Sequence, residues 1–216
     1  LAYTLDERRC AGTVHDGEHL ACDAAEAPYC ADHSHTWVCA RCTGTCLKDE
    51  MDCHDDHVVY LAAFAPDSFK VGVTKAWRLD RRLREQGADR GAHLRTVANG
   101  RIAREYEASL TDRVPDRVRV PTKRASLGSE VDEAAWNALL DEFDPLETQR
   151  FSYGLDLTER PLAETVATGT VVGTKGRLVV LERGATTYAV DLRDLVGYVA
   201  SVGESRRDRQ SSLGAF

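Results

Sequence analysis

Seven cysteines stand at positions 10, 22, 30, 39, 42, 46 and 53, all in the first quarter of a 216-residue chain. They are interleaved with His15, His19, His33, His35, His54 and His57. Thiolates and imidazoles at this density are ligands for a borderline-soft divalent ion. Disulfides are the competing use, but they need an oxidising compartment, and an odd count leaves one thiol over. Zinc is the better account. Cys30-x2-His33 and Cys39-x2-Cys42 are knuckle-type pairs, in which a tight turn presents two ligands to one tetrahedral ion. Eight ligands make two sites. The expected sets are Cys10, Cys22, Cys30 and His33, and then Cys39, Cys42, Cys46 and Cys53, with His57 as an alternative ligand in the second. A cross-braced pairing fits the spacing equally. Residues 1–57 are rich in Asp, Glu, Thr and Gly and cannot form a core alone, so the two zinc ions would supply folding energy.

A second chemical layout lies between His57 and Leu110. A tyrosine on one strand, a glycine on the next, then an arginine and a glutamate on following helices suit phosphodiester chemistry. The nearly all-apolar run at 58–64 predicts a buried strand. A second strand, 69–74, follows a turn made by Pro66, Asp67 and Ser68. Helical periodicity runs over 76–85 and stops at Gly87. Residues 93–97 suit a third strand, and 102–110 a second helix. Pro115 and Pro121 mark the next stretch as loop or edge. A helix then begins at Ser129 as cap, with Val131, Ala134, Ala135, Ala138, Leu139 and Phe143 as its apolar face, and ends at Pro145. Residues 146–165 read as a connector. Beyond them, Val- and Thr-rich runs broken by Gly169, Gly173, Gly176 and Gly184 predict three or four antiparallel strands. Gly173-Thr174-Lys175-Gly176 lacks phosphate-loop spacing and reads as a hairpin turn.

The expected class is α+β: an N-terminal zinc-binding module (1–57), a central small α/β sheet domain (58–145), a C-terminal antiparallel β-module (146–204) and a polar tail (205–216). No apolar run is long enough to span a bilayer, and the opening LAYTLDERRC lacks the basic-then-apolar order of a signal peptide. The expected location is the cytoplasm, with no membrane partner.

The net charge of −7 argues against chain-wide attraction to polyanions. Its distribution points the other way locally. Residues 69–125 hold fifteen Lys/Arg against seven Asp/Glu, whereas 1–57 hold four against twelve. A basic segment inside an acidic chain predicts a polyanion-facing surface, hence RNA or DNA as partner. Lys123 and Arg124 extend that surface.

The runs HVVYLA, KVGVT, RRLREQGAD, REYEASL, VPDRV and TKRA, with the cysteine-rich lead-in and the later GTVVGTKGRLVVL, resemble the uncharacterised family DUF2797. The central segment is more distantly similar to the GIY-YIG nuclease fold. VVY, ending at Tyr60, stands where GIY would, and KVG, ending at Gly72, where YIG would. The resemblance implies catalytic roles for Tyr60, Arg82 and Glu107, with Glu105 as the alternative carboxylate. Tyr60 would activate water, Arg82 would stabilise charge on the phosphate, and Glu107 would hold Mg²⁺ or Mn²⁺. Lys70, Gly72, Arg78, Arg81, Lys123 and Arg124 would meet nucleic acid. The sequence departs from that pattern: Lys70 replaces the second signature tyrosine, Val58 the leading glycine, and Gln86-Gly87-Ala88 the region of the helical histidine. The expected function is a zinc-containing nucleic-acid-acting protein, as a metal-dependent nuclease or RNA-processing enzyme. The alternatives are a non-catalytic RNA/DNA-binding protein or a protein-interaction adaptor.

Overall fold

The strand carrying Tyr60 is covered on both faces, and its residues alternate between two cores. The structure, a computed structural model, describes residues 1–34 and 54–203. It opens with β1 (Ala2–Arg8) and a short hairpin of β2 (Thr13–His15) and β3 (Glu18–Leu20). Then come β4 (His57–Phe64), β5 (Ser68–Lys75), a 3-10 turn (Ala76–Arg78), α1 (Leu79–Gln86), β6 (Arg90–Val97) and α2 (Gly100–Leu110). Two short helices follow, α3 (Val120–Ala125) and α4 (Glu133–Leu140), and then β7 (Glu147–Arg150). The remainder is β8 (Leu162–Ala163), β9 (Ala167–Thr168), β10 (Thr170–Lys175), β11 (Leu178–Arg183), β12 (Thr186–Asp191) and β13 (Tyr198–Val202).

The central sheet has the order β5-β4-β6-β7, with every neighbouring pair antiparallel. Side chains alternate across a pleated strand. Val59, Leu61 and Ala63 therefore pack with Ala103, Leu110 and Trp136 of α2 and α4. Val58, Tyr60, Ala62 and Phe64 pack on the other face with Leu79 and Leu83 of α1 and with Phe151. This two-sided burial explains why the run at 58–64 shows no polar alternation. Leu83 reaches the sheet because Gly91 carries no side chain: a Cβ there would lie 2.5 Å from Leu83 Cδ1.

Three stretches differ from the sequence expectation. The expected loop containing Pro121 holds α3, with the proline in its first turn, where a missing N–H costs nothing. The α4 helix begins at Glu133, and its cap is Asp132, whose carboxylate accepts from the amides of Ala134 and Ala135 at 3.0 Å; Ser129 lies ahead of it. Trp136, outside the expected apolar face, is the residue α4 buries most fully. The expected connector contributes β7 to the central sheet and β8 to the C-terminal one.

The C-terminal strands form a four-stranded sheet, β10-β11-β12-β8, in which β8 runs parallel to β12. A separate sheet, β13-β1-β9, joins the two ends of the described chain. The C-terminal sheet meets the central domain at the end of α1. Gly87 caps that helix in the left-handed conformation, with φ 72°. Gly176, in the β10–β11 turn at φ 58°, lies against it: a Cβ on Gly176 would sit 2.7 Å from Gly87 N and 2.8 Å from Gln86 C. Beside this contact, Lys175 Nζ bridges to the Asp89 carboxylate at 2.7 Å, with both side chains largely withdrawn from water. Asp89 also accepts from the Ala65 amide at 2.9 Å. Among the described residues, no helix is long and apolar enough to cross a membrane.

Substituting Gly176 by Val should therefore separate the C-terminal sheet from α1. The added side chain meets backbone on one side and a positive φ on the other, at a cost of about 1–3 kcal/mol. Urea unfolding should show a lower midpoint; an unchanged midpoint would contradict the close approach.

Candidate functional site

Among the described residues, two clusters of candidate functional side chains are assembled. The first is at the N-terminal end. After β1, the amide of Arg9 donates to Gly197 O at 2.8 Å and that of Cys10 to Ala24 O at 2.8 Å, which pins the loop. The amides of His33 and Ser34 both donate to Cys30 O, at 3.1 and 2.8 Å. That turn sets Cys30 and His33 on one side. Cys22 completes the group: the ligand atoms of Cys10, Cys22, Cys30 and His33 all lie within 4.8 Å of one another. Cys10 Sγ and Cys30 Sγ lie 3.4 and 3.2 Å from His33 Nδ1. A tetrahedral zinc with bonds of about 2.0–2.3 Å has ligand–ligand edges of roughly 3.5–3.8 Å, so the donor set and its spacing fit one zinc ion. Burial would raise the Cys10 thiol, but the Cys30 and Gly12 amides donate to its sulfur, and with the neighbouring thiols they bring it down to about 6. A thiolate is the ligand form zinc requires. This cluster is the first expected ligand set; Cys39, Cys42, Cys46 and Cys53 lie outside the described residues. His57, the alternative ligand, starts β4 with Nδ1 2.6 Å from Asp55 O.

The second cluster surrounds Tyr60 on β4. Tyr60 pairs across the sheet with Gly72, and its ring lies over that glycine: a Cβ on Gly72 would sit 2.6 Å from Tyr60 Cζ and Oη. The space beside Gly72 is thus filled by tyrosine. A register shift on the β6 side falls between Val59 and Tyr60, a local twist of the kind that re-aims a side chain. Tyr60 is 1% exposed. Its hydroxyl accepts from Gln86 Nε2 at 2.5 Å. Burial pushes the phenol pKa up, against the Gln86 hydrogen bond and the Arg82 charge.

Around Tyr60 the charges are dense. Lys70 on β5 is half-buried, and burial pushes its ammonium down to about 8, partly opposed by Glu107 and Asp116. Glu107 on α2 is nearly buried and held by Arg104 at 2.8 Å. Glu105, the alternative carboxylate, is exposed and bound to Arg101. Arg82 is exposed on α1 and shares Glu85 with Arg78 and Arg81. Lys123 on α3 donates to Gln86 O at 2.9 Å and lies 3.8 Å from the centre of the Phe64 ring. Burial, then repulsion from Lys70 and three further cations, brings Lys123 down to about 7. Among the described residues, neither Lys70 nor Lys123 has a carboxylate within ion-pair distance. Arg124 is half-buried on the same helix. Tyr60, Lys70, Arg82 and Glu107 therefore act on one another electrostatically, and Lys123 joins them. Arg81 on α1 and Arg78 in the 3-10 turn before it both pair with Glu85.

Sequence reasoning missed Gln86, Lys175 and Arg177. Gln86 was visible only as part of the QGA run. Lys175 and Arg177 flank a hairpin turn, and nothing local signals that this turn docks against α1.

The family model described as "Protein of unknown function (DUF2797)" matches residues 7–160. The match takes in the cysteine–histidine cluster and the Tyr60 surroundings, and it ends before Lys175. No curated protein and no solved structure matches the chain.

Replacing Cys30 by Ser should lower the zinc content of protein purified without chelator by one ion per chain, and lower the melting temperature with it. Elemental analysis that finds the same zinc in both proteins would contradict the assignment.

Proposed function

The chain belongs to the DUF2797 family, and we propose that it is a zinc-stabilised protein that binds nucleic acid, RNA or DNA, across α1 and the cleft beside it. One observation carries this reading. Among the described residues, Lys70 and Lys123 are ammonium groups drawn out of water with no carboxylate within ion-pair distance. A desolvated, unpaired charge is costly, and a bound polyanion supplies the missing counter-charge. The adjoining surface suits the same partner. Arg78, Arg81, Arg82 and Arg84 project from one short stretch, and Trp77 beside them is 71% exposed. An exposed indole among arginines is a platform for base stacking. In this reading Lys70, Arg78, Arg81, Lys123 and Arg124 hold phosphates, and Gly72 serves by seating Tyr60. Two zinc ions have a structural role, the second on Cys39, Cys42, Cys46 and Cys53. The protein works in the cytoplasm.

A second reading, a nuclease of GIY-YIG type, is favoured by the mutual electrostatic influence of Tyr60, Lys70, Arg82 and Glu107. In it Tyr60 would take a proton from water, Arg82 would meet the developing phosphate charge, and Glu107 would hold Mg²⁺ or Mn²⁺. Binding ranks first for two physical reasons. The Tyr60 hydroxyl is buried and occupied by Gln86, and Glu107 is already neutralised by Arg104.

Fluorescence anisotropy with labelled RNA and DNA over a salt series tests both. Affinity should fall steeply with salt, and Arg81→Gln should weaken binding while reducing the log–log salt slope by about one. Absence of binding at low salt would refute nucleic-acid readings and leave a protein-interaction adaptor. Cleavage with Mg²⁺ or Mn²⁺ that disappears in Glu107→Ala would promote the nuclease reading; no cleavage in either protein would leave binding alone.

A further inference from the structure

Between α1, α3 and the β10–β11 turn lies a cavity of about 240 Å³. Its wall brings together four cations from distant parts of the chain: Arg82, Lys123, Lys175 and Arg177. Among the described residues, Glu85 is the sole carboxylate in that wall. Lys175 is committed to Asp89 at 2.7 Å, and a terminal nitrogen of Arg177 to the buried Asp191 at 2.7 Å. Glu85 is divided among Arg78, Arg81 and Arg82, and its bond to Arg82 is the longest of the three at 3.5 Å. Among the described residues, Lys123 has only a neutral acceptor, the Gln86 carbonyl. The cavity thus keeps uncompensated positive charge. Arg177 Nε, in the same side chain as the nitrogen bound to Asp191, is shut off from water and has no hydrogen-bond acceptor among the described residues. Phe64 and Leu178 give the wall an apolar part.

We propose that this cavity binds a phosphomonoester, with Lys123, Arg82 and Arg177 around the phosphate and Phe64 and Leu178 beside its organic substituent. A dianion answers the excess charge. Tetrahedral oxygens can face donors arriving from three separate elements, which a planar carboxylate cannot do as fully. The apolar part of the wall favours a phosphate that carries a substituent over a bare one. The chemistry is shared by two sources, the phosphorylated end of a nucleic-acid strand and a small phosphorylated metabolite. The proposal goes beyond the surface-binding reading above and stands without it.

Calorimetric titration of the full chain with ribose 5-phosphate, inorganic phosphate and a short oligonucleotide with or without a 5′-phosphate tests this. Ribose 5-phosphate should saturate one site. Lys123→Gln, which keeps a donor for the Gln86 carbonyl, should weaken it about tenfold, as should Arg82→Gln at an exposed position that leaves folding intact. Arg177 is left in place, because removing it would strand Asp191. If the 5′-phosphate tightens oligonucleotide binding by the factor that Lys123→Gln removes, the ligand is a strand end. If ribose 5-phosphate binds and the 5′-phosphate makes no difference, it is a metabolite. No saturable binding of any phosphate probe, or equal binding by the wild type and both variants, overturns the proposal. Loss of affinity for the unphosphorylated oligonucleotide alone bears only on the surface reading.

Discussion

The close approach of Gly176 to the end of α1 is the constraint on which the cationic cleft depends. Each glycine permits what a side chain would forbid. Gly87 ends the helix in a left-handed conformation, and Gly176 brings the β10–β11 turn into backbone contact with it. The Asp89–Lys175 bridge locks the same junction from the side. Only because the turn docks there do Lys175 and Arg177 enter a wall that Arg82 and Lys123 have already made positive. Without that contact the four cations would belong to separate surfaces, each screened by water and worth little to a ligand.

What could be read from the sequence follows the range of the interactions involved. The strand at 58–64, the hairpin after it, the helix stopped by Gly87 and the Cys10, Cys22, Cys30, His33 set are written in short spacings: apolar runs, turn residues and ligand pairs. The Asp132 cap and the α3 turn around Pro121 were local too, but competed with plausible alternatives, Ser129 as a cap and proline as a helix breaker. The cleft was not legible. Lys123 is separated from Gln86 by 37 residues, and Lys175 from Asp89 by 86. A charge beside a turn looks the same in sequence whether it meets solvent or a buried carboxylate.

The Tyr60–Gly72 pair weighs differently on the two proposed readings. Gly72 leaves room for the tip of an aromatic ring, and the hydroxyl at that tip reaches Gln86. That fixes the tyrosine firmly and dries its surroundings, raising the phenol pKa. A general base needs the reverse, a hydroxyl that loses its proton readily near neutral pH. The neighbouring lysines are displaced in the direction a bound anion would correct. The metal cluster stands apart from this chemistry. It follows β1, which pairs with β13, so a zinc ion at Cys10, Cys22, Cys30 and His33 would steady a loop tied to the far end of the described chain.

The proposed anion site lies at the junction of α1 with the β10–β11 turn. Amide chemical-shift mapping of isotopically labelled protein with a 5′-phosphorylated oligonucleotide addresses it directly. The amides of Gly87, Lys123, Gly176 and Arg177 should shift together and saturate at one concentration, while those of Val14 and Leu20 in the β2–β3 hairpin stay in place. Shifts confined to that hairpin, or none at Gly176 and Arg177, would contradict it.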